Sequence, residues 1–361
     1  MKNLEKFMDA IESNSFFELE YLKIKITDRC NLTCVGCDFW KRKDLAELET
    51  EMIYSILDQG RELGAKSVHL SGGEATIRDD LINIINYANF SNYNVRMVTN
   101  GTQLNRQLIE HYVDAGLNAI TFSLDSSKKE LNKNLRGKEN NWKKVISNIS
   151  VASEYQPNLE VGINTVVSKK NLDELEDIVK LANELSVSWI RLSVFDKNQE
   201  VLHTGKIKQK KIFTKDQISR YNNIILPKID KYMHETKQVI YPNHLHIFGF
   251  TAEEHKNSER GDYSKKFYAD KICFLPFTHL SIYPNGDVMP CCKIPLIEGV
   301  MGNVYKSSLK EIAKNSIAKE YREKIRTTGI EACNSCTMKT YDNIQKYKQF
   351  KKELGVIPKK K

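Results

Sequence analysis

Cys30, Cys34 and Cys37 stand in the run Cys30-Asn-Leu-Thr-Cys34-Val-Gly-Cys37, a C-x3-C-x2-C spacing. Three thiolates on one short loop can hold three irons of a cubic [4Fe-4S] cluster and leave the fourth iron without a protein ligand. An open metal position is a place for chemistry, whereas a fully ligated one is structural. A zinc loop is the bland alternative, but it wants a fourth Cys or His nearby, and none occurs until His69. A second set lies near the C-terminus: Cys273, Cys291 and the clip Cys333-Asn-Ser-Cys336. Four thiolates make a complete site for either zinc or [4Fe-4S], and spacing alone does not choose between them.

Composition narrows the class. The chain has 361 residues, 40% hydrophobic and 28% charged, which suits one large domain or one large and one small. No apolar run approaches the ~20 residues of a membrane span. The N-terminus, Met1-Lys-Asn-Leu-Glu-Lys-Phe-Met8, lacks the apolar core of a signal peptide, so a cytoplasmic location is expected. Clustered cysteines in such a chain favour metal ligation over disulfides. The net charge of +9 reads first as a lysine-rich solvated surface, and second as a docking face for an acidic electron donor such as a flavodoxin or ferredoxin. Nucleic-acid binding is not expected, because the lysines are dispersed and their densest runs lack interleaved aromatic residues.

The elements that must position these cysteines alternate. Strand-like segments at Tyr21–Thr27, Lys66–Ser71, Asn94–Thr99, Asn118–Leu124, Leu159–Val167 and Trp189–Val194 are separated by helix-like segments. Such alternation implies a parallel sheet. Six repeats are too few to close an eight-stranded barrel, so the expected fold class is α/β, a partial (β/α)6 TIM-like barrel. Chemistry in these folds sits at the C-terminal ends of the strands. The chain divides into a helical lead-in (1–20), the barrel core (21–195), a polar insertion (196–270), a small α+β cysteine-bearing unit (271–340) and a basic C-terminal tail (341–361). Within the cysteine-bearing unit, Asn285-Gly286 between two apolar runs predicts a hairpin.

The second strand ends in Ser71-Gly72-Gly73-Glu74. Two glycines let backbone approach a ligand closely, and Glu74 can accept hydrogen bonds from an ammonium group. Following a C-x3-C-x2-C loop, this motif resembles that of the radical S-adenosylmethionine (SAM) superfamily. The resemblance implies that SAM binds at the open iron and that Gly72, Gly73 and Glu74 meet its methionine amine. It also implies cofactor contacts from later strand ends, with Ser123, Asn164 and Arg191 as candidates and Asp125 as a candidate substrate contact. The sequence departs from the family in one place. An aromatic residue usually precedes the third cysteine and packs near adenine; here that position is Gly36, with Phe39 or Trp40 as possible substitutes.

The C-terminal unit resembles the SPASM/twitch extensions of radical SAM enzymes, which carry auxiliary iron–sulfur clusters. With no cysteine after Cys336, it looks like the shorter twitch form, with Cys273, Cys291, Cys333 and Cys336 holding one auxiliary [4Fe-4S] cluster. Cys292 is surplus: an alternative ligand, a small buried thiol, or a hydrogen-atom donor in catalysis. The resemblance implies reductive cleavage of SAM to a 5′-deoxyadenosyl radical, which abstracts hydrogen from a substrate C–H bond. A closed auxiliary cluster would then accept an electron, giving a two-electron oxidation (dehydrogenation) or an epimerisation. The expected substrate is a sugar- or aminocyclitol-like small molecule. The alternative is a ribosomally made peptide, and the short stretch before Tyr21 leaves little room for a peptide-recognition domain. A non-enzymatic iron–sulfur electron carrier would leave Gly72-Gly73-Glu74 without a purpose.

Overall fold

The structure, a computed structural model, describes residues 2–37, 39–41, 44–137, 141–195, 212–236, 246–249, 251–291, 299–336 and 340–360. Nine strands form one sheet in the order β6-β5-β4-β3-β2-β1-β7-β8-β9. The first six are β1 (Tyr21–Thr27), β2 (Ser67–Gly72), β3 (Asn94–Thr99), β4 (Leu117–Ser123), β5 (Glu160–Val167) and β6 (Trp189–Val194). Each pairs in parallel with the next in sequence. Since β6 and β9 (Gly302–Asn303) are the two edges, the barrel is partial and stays open.

Residue alternation explains how the strands are used. Leu22, Ile24 and Ile26 of β1, Val68 and Leu70 of β2, and Val161 and Ile163 of β5 are buried in the main core. There they pack with the apolar faces of helices α2 (Thr50–Glu62), α3 (Leu81–Phe90), α6 (Trp142–Ser153) and α7 (Leu175–Glu184). The residues between them on the strands, among them Lys25, Ser71, Asn164 and Arg191, take the opposite, concave face. A parallel sheet covered on both sides would be apolar throughout; here the second face is left for polar function.

The C-terminal unit joins this sheet rather than standing beside it. Strand β7 (His279–Ile282) pairs in parallel with β1, with Tyr21 opposite His279 and Ile24 opposite Ile282. Strand β8 (Asp287–Met289) returns antiparallel through the expected hairpin, where Gly286 adopts φ +85°. The pairing covers the edge that β1 would otherwise expose. Around the hairpin, α1 (Lys2–Glu12) packs Phe7 and Ile11 against Phe274, Phe277 and Phe350 in a second core. Phe350 belongs to the C-terminal helix Thr340–Leu354, so the basic tail is an integral packing element.

Thr50 does not cap α2; the N-cap is Glu49, and the Thr50 hydroxyl donates instead to the Asp80 carboxylate. The helical stretch after residue 214 is interrupted by a π turn at Tyr221–Ile225. Pro227 follows one residue later; it has no N–H and crowds the preceding turn, which a wider turn relieves.

Candidate active site

Strand β1 runs directly into the cysteine loop, and the Gly72-Gly73 segment lies flat against its start. Gly73 N–H donates to Thr27 O at 2.8 Å and Glu74 N–H to Arg29 O at 2.8 Å. A Cβ on Gly72 would come within 2.3 Å of Thr27 O, and one on Gly73 within 2.1 Å of Arg29 O. The sequence suggests glycines for approach to a ligand; the structure shows that they first allow backbone to lie on backbone.

The next strand end locks the same loop. Asn100 Nδ2 donates to Asn31 Oδ1 at 2.8 Å, and Asn31 Nδ2 donates to Thr102 Oγ1 at 2.9 Å. Cys34 Sγ donates to Arg136 O at 3.3 Å, and Val35 N–H to Leu135 O at 2.9 Å, which docks the end of helix α5 (Lys129–Arg136) on the loop. Cys30, Cys34 and Cys37 thereby line one cavity of about 540 Å³ with Gly72, Gly73, Glu74, Ser123 and Asp125. Its mouth carries Lys169 and Lys170, after the end of β5.

Glu74, 2% exposed, is held by four donors. Its Oε1 accepts from Thr76 N, Thr76 Oγ1 and Thr99 Oγ1 at 3.2, 2.6 and 2.7 Å. Among the described residues, its Oε2 accepts only Asn100 N–H, at 2.6 Å. A carboxylate has about four acceptor sites in all, two on each oxygen, so the remaining capacity is on Oε2. A carboxyl group fixed in this way on the cavity wall suits an ammonium group.

Sheet register brings three other candidates into one row. Ser123 is opposite Asn164, and Asn164 is opposite Arg191. Ser123 lines the cavity, whereas Asn164 and Arg191 continue the row beyond its wall; Asn164 Oδ1 accepts from Ser193 Oγ at 3.2 Å. Asp125 also lines the cavity, but both of its oxygens are engaged. Oδ2 accepts from Arg136 Nη1 at 2.7 Å and Oδ1 from Val166 N–H at 2.8 Å. The Asp125–Arg136 pair is buried on both sides.

Cys30 and Cys34 resist ionisation. Burial first, and then the charges of Glu74, Cys34 and Cys37, push the Cys30 thiol up to about 11. Burial also raises Cys34, opposed by the Arg136 guanidinium. Iron ligation requires thiolates, so filling this site releases protons, and the positive metal reverses the local balance. The donor set and the shared cavity fit a cluster held by three cysteines.

Neither Phe39 nor Trp40 fills the space above Gly36. The ring of Phe195, just past β6, lies there, and a Cβ on Gly36 would meet its Cε2 at 2.7 Å. Trp40 instead donates its indole N–H to Cys34 O at 3.0 Å.

The second cysteine set is also drawn together. Burial raises the Cys333 thiol well above its ordinary range, with Cys273, Cys291 and Cys336 adding to the effect. Buried Tyr283 packs with Met289 and Tyr321 in a small core that includes Cys291. On its other side the Lys25 ammonium stands 3.6 Å from the Tyr283 ring centroid. Four thiols suit a closed cluster. Cys292 lies outside the described residues.

The fold and the site define a protein that handles SAM at an iron–sulfur centre, and the comparisons with known proteins agree. The profile of the radical SAM superfamily matches residues 24–182, and that of the SPASM iron–sulfur cluster-binding domain matches residues 273–337. The chain thus carries a radical SAM domain and a C-terminal SPASM domain, a combination that implies [4Fe-4S] clusters and SAM. It is 31% identical over 163 residues to an AdoMet-dependent heme synthase of Methanosarcina barkeri, covering 45% of this chain and 46% of that protein. It is 29% identical over 228 residues to a GTP 3',8-cyclase of Clostridium botulinum, covering 59% of this chain and 67% of the cyclase. The chain thus spans less than half the length of the first relative. In fold it is similar to SuiB of Streptococcus suis bound to SAM, with a TM-score of 0.66 at 19% identity, covering 95% of this chain and 77% of SuiB.

Sequence reading missed several residues of this site. Phe195, Asn31 and the two mouth lysines come from separate strands and loops. Only Asn31 carried a local signal, since it lies between two of the cysteines.

Proposed function

We propose that this protein is a SAM-dependent radical enzyme that oxidises a C–H bond of a small molecule, with the auxiliary cluster taking up an electron. The observation that carries this reading is the convergence of Cys30, Cys34, Cys37, Gly73 and Glu74 on one cavity, in a sheet that continues unbroken into the second cysteine unit. When bound, the three-cysteine cluster and SAM supply a 5′-deoxyadenosyl radical.

The chain's own residues hold and orient. Glu74 Oε2 accepts the SAM ammonium, and Ser123 meets the cofactor farther along the wall. Asp125 and Arg136 position α5 against the cysteine loop. Asn164 and Arg191 support the Ser123 row from the concave face of the sheet. Cys273, Cys291, Cys333 and Cys336 hold the auxiliary cluster, and Cys292 adjoins it in sequence. A cavity of about 540 Å³ is of the size that encloses one or two small molecules. Its lysine-bearing mouth favours a substrate with an anionic group. The net charge of +9 suits an acidic flavodoxin- or ferredoxin-like electron donor. Among the described residues no helix is long and apolar enough to cross a membrane.

A second reading has one observation in its favour. SuiB has also been solved bound to its precursor peptide SuiA, and that structure covers 96% of this chain at a TM-score of 0.66. A peptide end entering past Lys169 and Lys170 would make this protein a peptide maturase.

The test is 5′-deoxyadenosine formation by anaerobically reconstituted protein with dithionite and SAM, given separate small-molecule and peptide fractions. Stimulation by the small-molecule fraction is expected. Stimulation by peptides alone would establish the second reading. No 5′-deoxyadenosine at all from iron-loaded protein would sink both.

A further inference from the structure

An electron acceptor works only if its potential is set, and the surroundings of Cys273 bear on that. The helix Thr340–Leu354 lies beyond the matched SPASM region, yet it contributes two buried side chains one turn apart, Asn343 and Tyr347. Tyr347 Oη accepts Ile272 N–H at 2.8 Å, and Asn343 Oδ1 accepts Phe274 N–H at 2.8 Å. These two bonds fix the backbone on either side of Cys273. The second also fixes the Asn343 amide, because with its oxygen committed to an N–H donor its nitrogen must face the other way.

That nitrogen faces a sulfur. Asn343 Nδ2 lies 3.5 Å from Cys273 Sγ and 3.1 Å from Tyr268 Oη. Tyr268 lines one cavity with Cys273 and Cys333, and burial first, then the neighbouring cysteines and a hydrogen bond to Cys273, raise its hydroxyl well above the ordinary value. Asn343 is 1% exposed, so no bulk water competes for these donors. Holding the backbone accounts for Asn343 Oδ1 and for Tyr347. It does not account for two donors converging on one thiol sulfur.

We propose that Tyr268 and Asn343 are positioning residues that raise the reduction potential of the auxiliary cluster by donating hydrogen bonds to Cys273 Sγ. Reduction adds negative charge to a cluster and its sulfurs, and donors to sulfur stabilise that charge. Burial alone works in the opposite direction, since it penalises added charge. The inference rests on the four-cysteine auxiliary cluster proposed above.

The test is an EPR-monitored redox titration of the full-length, reconstituted chain carrying C30A, C34A and C37A, so that only the auxiliary cluster contributes. Y268F removes one hydroxyl and keeps the ring, which preserves the packing; N343A removes the other donor. Each is expected to lower the reduction equilibrium about tenfold, the worth of one hydrogen bond to a charged acceptor. That is about 59 mV more negative for a one-electron couple. The double variant should lie lower than either single one. An unchanged potential in iron-replete Y268F overturns the tuning role. Absence of iron from the C30A/C34A/C37A chain before any further substitution overturns the auxiliary cluster itself, and this inference with it, so the two failures are distinguishable.

Discussion

The ring of Phe195 occupies the place into which a side chain at position 36 would project, 2.7 Å from an ideal Gly36 Cβ. Residue 36 stands directly before Cys37, and Phe195 reaches it from the open edge of the barrel. Tyr263 Oη donates to Phe195 O at 3.2 Å and ties the same point to the segment leading to the C-terminal unit. Glycine is required here for room, since its φ is not in the left-handed region. Phe195→Ala should weaken SAM binding several-fold in equilibrium dialysis, with iron content unchanged, and Phe195→Leu should retain more of it. Gly36→Ala should behave like Phe195→Ala, because the added methyl displaces the ring. Unaltered SAM affinity in Phe195→Ala would remove the ring from the cofactor site.

The Glu74 carboxylate ties its own turn to the end of the third strand through four accepted hydrogen bonds, two from Thr76 and one each from Thr99 and Asn100, while its N–H donates to Arg29 O beside the cysteine loop. Glu74→Gln keeps the size but removes the charge, and its NH2 must oppose one of these donors. SAM binding is expected to fall at least tenfold. Stability should fall by about 1–3 kcal/mol from the unsatisfied buried group, read from denaturant midpoints of the apoprotein. A fall in stability alone, with SAM affinity intact, would make Glu74 purely structural.

The Asp125–Arg136 ion pair, 2.7 Å long and buried on both sides, invites a double-mutant cycle. Arg136→Met leaves the Asp125 carboxylate buried and unpaired, which typically costs about 3–5 kcal/mol. Asp125→Asn with Arg136→Met should recover much of that. Chemical denaturation of the apoproteins checks both. Full loss of activity in a well-folded double variant would reassign Asp125 to direct contact with substrate.

Asp80 predicts part of the acid limb of stability. Burial acts to raise its carboxyl, but bonds from Arg78 and Thr50 outweigh that and hold it below the ordinary value of 3.8. Arg78 grips it with two bonds, Nε–Oδ1 at 2.8 Å and Nη2–Oδ2 at 2.6 Å. A carboxyl depressed in the folded state binds fewer protons there than in the unfolded chain. Its contribution is therefore complete above 3.8 and is lost as pH falls through the lower folded value. Asp80→Asn should flatten the unfolding midpoint across that window. An identical acid limb in the variant would show that Asp80 is not linked to folding.

Much of the site was legible because its signals are local. Cys30, Cys34 and Cys37 fall within a single loop, and Gly72-Gly73-Glu74 within a single strand end. Ligand type and spacing on so short a stretch constrain chemistry whatever the rest of the chain does. The six βα repeats follow from periodicity in the same way, each being a property of neighbouring residues. Asn285-Gly286 marked its hairpin because a tight turn is decided by the residues in it.

The illegible part consists of contacts between residues far apart in sequence. No local pattern announces that Phe195 will fill the space over Gly36, that β7 will extend the sheet along β1, or that Asn343 in a lysine-rich helix will turn its amide toward Cys273. The purpose of the glycines shifted for the same reason: Gly72 and Gly73 suit any close approach, but only the folded chain shows that the Thr27–Arg29 backbone is what they approach. Residue type and spacing determined which groups can bind iron and SAM, because those capacities belong to the side chains themselves. Tertiary packing decided which partner each of those groups meets, because burial and sheet register fix distances that sequence separation leaves open.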